Sequence, residues 1–254
     1  MNMFDLTGRV AVVTGGNGGI GLGMAKGMAE AGAAVVIAGR NEEKNQAAIA
    51  SIEAVGGTAT SVVADVTDEG ACAAMIETAV SNHGGLHILV NNAGINVRKE
   101  PQEMSLDEWN QVMDVNMTGA FLASKAAYQP MRDAGFGKII NIGSMMSIFG
   151  ASFVPAYAAS KGGIVQFTKA TAAAWARHNI QVNAVLPGWI NTDLTRRARE
   201  EVKGLHERVL ARTPAGRWGE PEDHAGIAVF LAGPGSDFVT GTAIPVDGGF
   251  SSLG

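Results

Sequence analysis

Tyr157 and Lys161 sit four residues apart in the stretch Tyr157-Ala-Ala-Ser-Lys161, and Ser144 precedes them. On a helix, residues at i and i+4 share one face, so a phenol and an ammonium are held side by side. A phenol with a pKa near ~10 is a poor acid–base catalyst at pH 7. A fixed neighbouring cation favours the phenolate and lowers that pKa. The Ser144 hydroxyl adds a group that can hold a carbonyl or alcohol oxygen beside the phenol. The three form a device for moving a proton on and off an alcohol oxygen. Its chemical complement is a hydride transfer, which needs a carrier. Taken alone, Tyr157 and Lys161 are also consistent with a chance pair on an amphipathic helix, because structural pairs perturb pKa values too. The surrounding motifs argue for the chemical reading.

The carrier's site is foreshadowed near the N-terminus. An apolar run through Val13 leads into Thr14-Gly-Gly-Asn-Gly-Gly-Ile-Gly21 and then into a helical pattern. A glycine-rich turn between a strand and a helix N-terminus lets the backbone approach a pyrophosphate, whose charge the free N–H groups and helix dipole hold. The glycines fit more than one spacing, so the strand–turn–helix context carries the reading. The second strand pattern ends Ile37-Ala-Gly-Arg-Asn41. An acid there would bind the ribose 2′-hydroxyl of NAD, whereas a nearby Arg accommodates a 2′-phosphate. Arg40 therefore favours NADP(H), with NAD(H) possible if Arg40 serves the surface or the adenine instead.

Those elements need a scaffold. The chain has 254 residues, 46% hydrophobic and 17% charged, which suits one sizeable core. Short β-branched runs at 9–14, 33–39, 58–64, 86–91, 137–143, 180–186 and 242–246 alternate with helical patterns at about 19–31, 42–55, 68–82, 106–133, 155–177 and 222–232. The runs are continuously apolar, as in strands buried on both faces. Ser105-Leu-Asp-Glu108 forms a capping box, and Asn41-Glu-Glu can open the second helix. The alternation predicts an α/β, Rossmann-like doubly wound fold: a seven-stranded parallel sheet with helices on both faces. No linker or shift in composition appears, so residues 1–254 are expected to form a single dinucleotide-binding and catalytic domain. The stretch at about 189–219 breaks the rhythm and reads either as a substrate lid or as a solvated surface helix.

Composition excludes several classes. A net charge of -5 argues against nucleic acid as the main partner. Cys72 is the only cysteine, and it falls in an Ala-rich helical pattern, where a small buried residue is expected. The five histidines lack zinc-type spacing, so no metal is expected. Met1-Asn2-Met3-Phe4-Asp5 runs straight into a strand, and no apolar stretch approaches the ~20 residues that span a bilayer. A cytoplasmic location without membrane partners is the expectation.

The motifs together resemble the short-chain dehydrogenase/reductase family over essentially the whole chain. Thr14 to Gly21 matches its glycine turn, with Gly15, Gly19 and Gly21 in register and Asn17, Gly18 and Ile20 between them. Asp65-Val66 is similar to its adenine-contacting pair, and Asn91-Asn92-Ala93-Gly94 to its N-N-A-G motif. Asn116, Ser144, Tyr157 and Lys161 fall on its catalytic tetrad. Pro187-Gly188, Ile190 and Thr192 fall on its nicotinamide-side segment, and 241–249 resembles its C-terminal interface strand. The resemblance implies Tyr157 as general acid in reduction and general base in oxidation, with Ser144 binding the substrate oxygen. It implies that Lys161 lowers the Tyr157 pKa and holds the nicotinamide ribose, and that Asn116 holds a relay water. It also implies a homotetramer. The glycine turn lacks the basic residue that often assists NADP binding, so the NADP preference rests on Arg40.

The substrate is less legible. Met145, Met146, Ile148, Phe149, Phe153, Trp189 and Ile190 lie near the predicted site, with Met146 and Trp189 the expected substrate contacts beside Ser144 and Tyr157. Arg196, Arg197, Arg199 and His206 offer charge for a carboxylate or phosphate if the lid closes. Within the family, Asn141-Ile-Gly-Ser-Met-Met146, Trp175-Ala-Arg-His-Asn-Ile180 and Arg212-Thr-Pro-Ala-Gly-Arg-Trp-Gly219 resemble bacterial sugar-acid and polyol dehydrogenases of the gluconate 5-dehydrogenase and 2-deoxygluconate 3-dehydrogenase type. The expected activity is thus NAD(P)(H)-dependent interconversion of a secondary alcohol and a ketone on a small-molecule sugar acid or polyol. The alternatives are a 3-oxoacyl-carrier-protein reductase, a non-catalytic dinucleotide-binding regulator, and an extended-family epimerase. The intact tetrad opposes the regulator, and the chain length opposes the epimerase.

Overall fold

The computed structural model describes residues 2–253. Seven strands form one parallel sheet: β1 (Val10–Thr14), β2 (Ala34–Gly39), β3 (Thr58–Val63), β4 (Ile88–Asn91), β5 (Gly137–Ile142), β6 (Ile180–Pro187) and β7 (Ala243–Val246). Their spatial order is β3-β2-β1-β4-β5-β6-β7. This is the expected fold, and every predicted strand is present to within about two residues. The helices are α1 (Gly19–Glu30), α2 (Glu42–Glu53), α3 (Glu69–His83), α4 (Leu106–Met113), α5 (Gly119–Asp133), α6 (Pro155–Trp175), α7 (Asp193–Glu201), α8 (Leu205–Arg212) and α9 (Ala225–Ala232).

Strand alternation divides the core into two layers. Ala11, Val13, Val35 and Ile37 meet Met24 and Met28 of α1, Ile52 of α2 and Leu231 of α9. Val10, Val12 and Val36 face the other way, against Met75 and Ile76 of α3, Ala127 of α5 and Ala172 of α6. Burial on both faces explains the unbroken apolar runs. Cys72 lies in the second layer, where burial pushes its thiol up to about 11.

Local signals set the helix starts. Asn41 accepts from Lys44 N (2.8 Å) to cap α2. At α4, Glu108 N donates to Ser105 Oγ (3.2 Å) and Ser105 N to Glu108 Oε2 (2.9 Å), a complete capping box. The segment predicted as one helix at 106–133 is interrupted: Asp114–Thr118 forms a π-turn between α4 and α5. Chain order reverses across β1 and β4, so the loops after these strands part and leave a crevice at the carboxyl ends of the sheet.

Candidate active site

The crevice is a cleft of about 960 Å³. The turn after β1 forms its floor. Gly15 has φ +62, and a Cβ there would come within 3.1 Å of Ala93 Cα, so glycine alone suits both the backbone and the space. Thr14 stands behind the turn, only 2% exposed. Its hydroxyl donates to Val90 O (3.2 Å) and accepts from Asn92 N (3.0 Å) and Ala93 N (3.1 Å). Asn92 Nδ2 donates to Thr14 O and Gly15 O, both at 3.0 Å. The N-N-A-G motif thus braces the glycine turn from beneath.

Of the residues expected to bind the cofactor, Gly15, Asn17, Gly18, Gly19, Ile20, Arg40, Asp65, Val66, Asn92, Ala93, Gly94, Tyr157, Lys161, Pro187, Gly188, Ile190 and Thr192 all line this cleft. Thr14 and Gly21 do not: Thr14 bonds the strands together, and Gly21 packs against the Asn92 side chain and Gly15 O. Both build the turn rather than face the cleft. Arg40 reaches out beside Asp65 (Nη1–Oδ2 3.8 Å), with most of its side chain exposed. The Thr67 backbone and hydroxyl hydrogen bonds, aided by Arg40, hold the Asp65 carboxyl below its usual value. Lys44 also lines the cleft, and the sequence reading missed it. Its signal was the α2 cap at Asn41, which places the first turn of that helix at the end of β2. Two cations, Arg40 and Lys44, line the cleft at the end of β2, which fits a phosphorylated dinucleotide.

Ser144, Tyr157 and Lys161 come together where the cleft meets a second cavity of about 110 Å³. Ser144 follows β5 and starts a single 3₁₀ turn (Met145–Ser147), with its Oγ accepting from Met146 N (3.1 Å). Ser147 Oγ donates to Lys161 O (2.6 Å), tying that turn to α6. Pro155 at the first position of α6 fixes where the helix begins. Tyr157 and Lys161 then share a face, with Nζ 5.6 Å from the ring centroid.

The sequence predicts that Lys161 lowers the Tyr157 pKa. In the structure burial dominates both groups. It holds the phenol above its ordinary value, opposed by the Ser144 hydroxyl and the Arg98 charge. It also pushes the Lys161 ammonium down to about 8. Lys161 Nζ donates to Ile142 O (2.7 Å) rather than to the phenol, so its charge is directed first at the strand end.

Asn116, 2% exposed, lies in the π-turn. Its Oδ1 accepts from Ile95 N (2.8 Å), and its Nδ2 donates to Ile95 O (3.0 Å) and Ser160 Oγ (3.0 Å). The side chain is thereby committed to bracing the loop after β4 against α6. It does not line the cleft.

The smaller cavity is walled by Met146, Phe153 and Trp189, with Ser144 and Tyr157 at its mouth, so all the expected substrate contacts converge there. Ile148 is half exposed outside it, Phe149 packs beneath on Phe250, and Ile190 lines the cofactor cleft. The basic residues expected to greet a substrate lie elsewhere. Arg196 pairs with Asp193, while Arg199 and His206 stack on Trp218. Asn96 and Arg98, which the sequence reading passed over, line the cavity instead.

A parallel seven-stranded sheet with a glycine turn at its switch point and a Ser–Tyr–Lys cluster at the mouth of the cleft defines a nucleotide-dependent oxidoreductase. Residues 15–251 match the family model described as enoyl-(acyl carrier protein) reductase, and the chain belongs to the short-chain dehydrogenase/reductase family. It is 44% identical over 251 residues to a 2-dehydro-3-deoxy-D-gluconate 5-dehydrogenase of Dickeya dadantii, with 98% of each chain covered. It is 40% identical over 252 residues to a gluconate 5-dehydrogenase of Gluconobacter oxydans, covering 98% of this chain and 97% of that one. Among solved structures, a gluconate 5-dehydrogenase from Burkholderia cenocepacia in complex with NADP and tartrate superposes with a TM-score of 0.94 at 41% identity, covering 100% of this chain and 99% of that one.

Proposed function

We propose that this protein interconverts a secondary alcohol and a ketone on a sugar acid of the gluconate class, with NADP(H) as the favoured cofactor and NAD(H) as a possible one. The observation that carries the reading is the shared wall: Ser144, Tyr157 and Gly188 line both the large cleft and the small cavity. The proton-moving groups therefore stand between a dinucleotide-sized space and a substrate-sized one. The names of the similar enzymes support the choice of substrate class.

The glycine turn and the α1 N-terminus would hold the pyrophosphate. Arg40 would meet a 2′-phosphate, and Asp65 and Val66 the adenine. Asn92, Ala93, Gly94 and the segment Pro187 to Thr192 would hold the nicotinamide side. When bound, the nicotinamide supplies or accepts the hydride. In reduction Tyr157 gives its proton to the substrate oxygen; in oxidation it takes that proton back. Ser144 Oγ steadies the same oxygen and its developing charge. Lys161, charged at neutral pH, stabilises the tyrosinate left behind. Asn116 holds the loop and α6 in place, which leaves any water relay to its backbone.

Residues 189–219 act as the lid. Their two ends are pinned together, with Gly219 N donating to Trp189 O (2.9 Å) and Asn191 N to Gly219 O (2.8 Å). Between them α7 and α8 pack a small core of their own around Ala198, Leu205, Val209 and Trp218. A body pinned at both ends can move as a unit over the cavity. We further propose a homotetramer acting in the cytoplasm. The exposed Phe121 of α5, edge-on to Phe167 of α6 at 6.5 Å, supports helix–helix assembly. Light scattering and cell fractionation check these two points.

The functional test is absorbance at 340 nm with NADPH or NADH against keto-sugar acids, ketoses, β-keto esters and diketones. Reduction of a keto-gluconate with NADPH is the expected result. Turnover of β-keto esters alone would overturn the substrate class.

A further inference from the structure

The sequence offers Arg199 and His206 to an anion, and the active site uses neither. Both line a separate hollow of about 510 Å³, which shares no residue with the cofactor cleft or the substrate cavity. The hollow lies where the two ends of the lid are pinned: Asn191 and Glu220 flank that seam, and Asn191 Nδ2 donates to Glu220 Oε1 (2.5 Å). Its walls come from α7 (Arg199), from α8 (His206) and from the returning segment 216–223 (Arg217, Trp218). The volume is within the range of pockets that take small molecules.

The charges of the hollow are unequally spent. Arg217 Nη1 and Nη2 hold both oxygens of Asp223 (2.6 and 2.9 Å), and Glu220 N donates to the same carboxylate (2.8 Å). That pair is complete. Arg199 differs: it is half-buried, and among the described residues it forms no ion pair. Its Nη2 donates to Asn191 Oδ1 (2.7 Å), and its Cζ lies 4.3 Å from the centroid of the Trp218 ring. The His206 ring stacks on the same indole, with centroids 6.2 Å apart and planes 10° from parallel. The Asn191 amide stands between Arg199 and Glu220, so these two charges do not meet. An amide on one edge and an indole on one face fix the guanidinium and leave donors of its fork unused. A fixed guanidinium with a free edge is a receptor for a carboxylate or a phosphate, and His206 adds a ring N–H from the same indole face-to-face stack.

We propose that this hollow is a second ligand site, separate from the catalytic one, which takes a small organic anion by its carboxylate or phosphate on Arg199 and His206. One ligand there touches α7, α8 and the returning segment together, so it fastens the parts of the lid to one another. A contact towards the substrate exists: Trp218 meets Trp189 edge-on (5.6 Å, 69°), and Trp189 lines the substrate cavity. Occupation of the hollow and of the cavity then bias each other by the same factor. The proposal does not depend on which substrate is turned over.

The experiment titrates NADPH-loaded protein with inorganic phosphate and with citrate by calorimetry, against chloride at equal ionic strength. NADPH fills the cofactor cleft, which would otherwise take the same anions. Wild type should show saturable binding. R199Q should weaken it by roughly 10- to 100-fold, the range for a hydrogen bond to a charged group. R199K, which keeps the charge and loses the fork, should fall between. R197Q removes an exposed charge of α7 that does not line the hollow, and it should bind as wild type does. Tighter phosphate assigns the site to phosphate esters, and tighter citrate to polycarboxylates. Hydrogen exchange places the ligand: slower exchange over 193–212 in wild type, absent in R199Q, is the expected result. NADPH affinity, read by its fluorescence, reports that each variant is folded. No saturable binding to wild type, equal binding in R199Q, an equal loss in R197Q, or protection confined to other segments would each overturn the proposal. No step requires turnover, so a failure of the sugar-acid reading leaves this test intact.

Discussion

Asn17 Nδ2 donates to Asn45 Oδ1 at 2.7 Å, joining the glycine turn to α2 directly over Gly39. Asn45 is itself fully buried and donates to Gly39 O (2.9 Å). A Cβ on Gly39 would come within 2.5 Å of Asn17 Nδ2 and 2.8 Å of Asn45 Oδ1. The end of β2 is therefore closed to any side chain, including the acid that would favour NAD. Arg40 projects past this clamp. R40A should raise the KM for NADPH by about 10- to 100-fold, the worth of a charged contact of 1.5–3 kcal/mol, and change that for NADH little. G39D should not produce an NAD enzyme; it should weaken both cofactors by disrupting the clamp. Parallel KM measurements with the two cofactors check both statements, and an NADH-selective G39D variant would refute the second.

Tyr157→Phe keeps the ring and removes the proton that moves. Positioned acid–base groups contribute 10²–10⁴-fold to rate. Turnover of the best substrate should fall by at least 10³-fold while NADPH affinity, measured by fluorescence, stays within about twofold. Retained turnover would remove Tyr157 from the mechanism.

The reduction rate should fall as pH rises through about 8, the value to which burial lowers Lys161. Below that pH Lys161 is charged and stabilises the tyrosinate; above it the amine is neutral and this help is lost. Tyr157 is not the titrating group, because its phenol is held above its ordinary value and stays protonated over the same range. A pH profile of kcat/KM under saturating NADPH tests the assignment. A flat profile from pH 7 to 10 would count against it.

Much of this site was readable in the chain, and the reasons differ by residue. Tyr157 and Lys161 were legible because helical spacing alone sets their proximity, and β1 through β7 because strands buried on both faces are apolar throughout. Arg98 was not legible. It lies in an aperiodic loop, and its partner Glu201 is 103 residues away along the chain, so only the folded chain makes it a cavity residue. The π-turn was hidden for a related reason. The 106–133 stretch reads as helical apart from Gly119 and Pro130, and the π-turn falls where Ile95 and Ser160 hold the Asn116 side chain.

That hold on Asn116 gives a prediction. π-turns recur at functional sites because they redirect one side chain without ending the helix. Asn116→Ala would orphan the part-buried Ile95 backbone groups and remove a partner of the buried Ser160. The expected loss of stability is about 2–4 kcal/mol, since each unsatisfied buried group costs about 1–3 kcal/mol. Chemical denaturation measures it. A variant of native stability but low activity would instead point to direct participation in proton transfer.

Lys161 should oppose stability even as it supports catalysis. It is 4% exposed, and burial lowers its pKa from 10.5 to about 8. The folded state thus binds its proton less well than the unfolded state does. Between pH 8 and 10.5 the unfolded chain carries the extra proton, so this group's contribution to stability improves as pH rises through that window. Below pH 8 both states are protonated and the full penalty stands, about 3 kcal/mol at pH 7. The hydrogen bond to Ile142 O returns about 1–2 kcal/mol of it. Lys161→Met removes the charge, keeps most of the packed stem and loses that bond. Its net effect at pH 7 should be a gain of about 1–2 kcal/mol, or a few degrees in Tm, together with loss of activity of at least 10²-fold. The gain over wild type should shrink as pH rises from 8 towards 10.5. Paired melting curves at pH 7 and pH 9.5 test this directly. A Met variant less stable than wild type at pH 7 would mean that the Ile142 contact outweighs the burial of the charge.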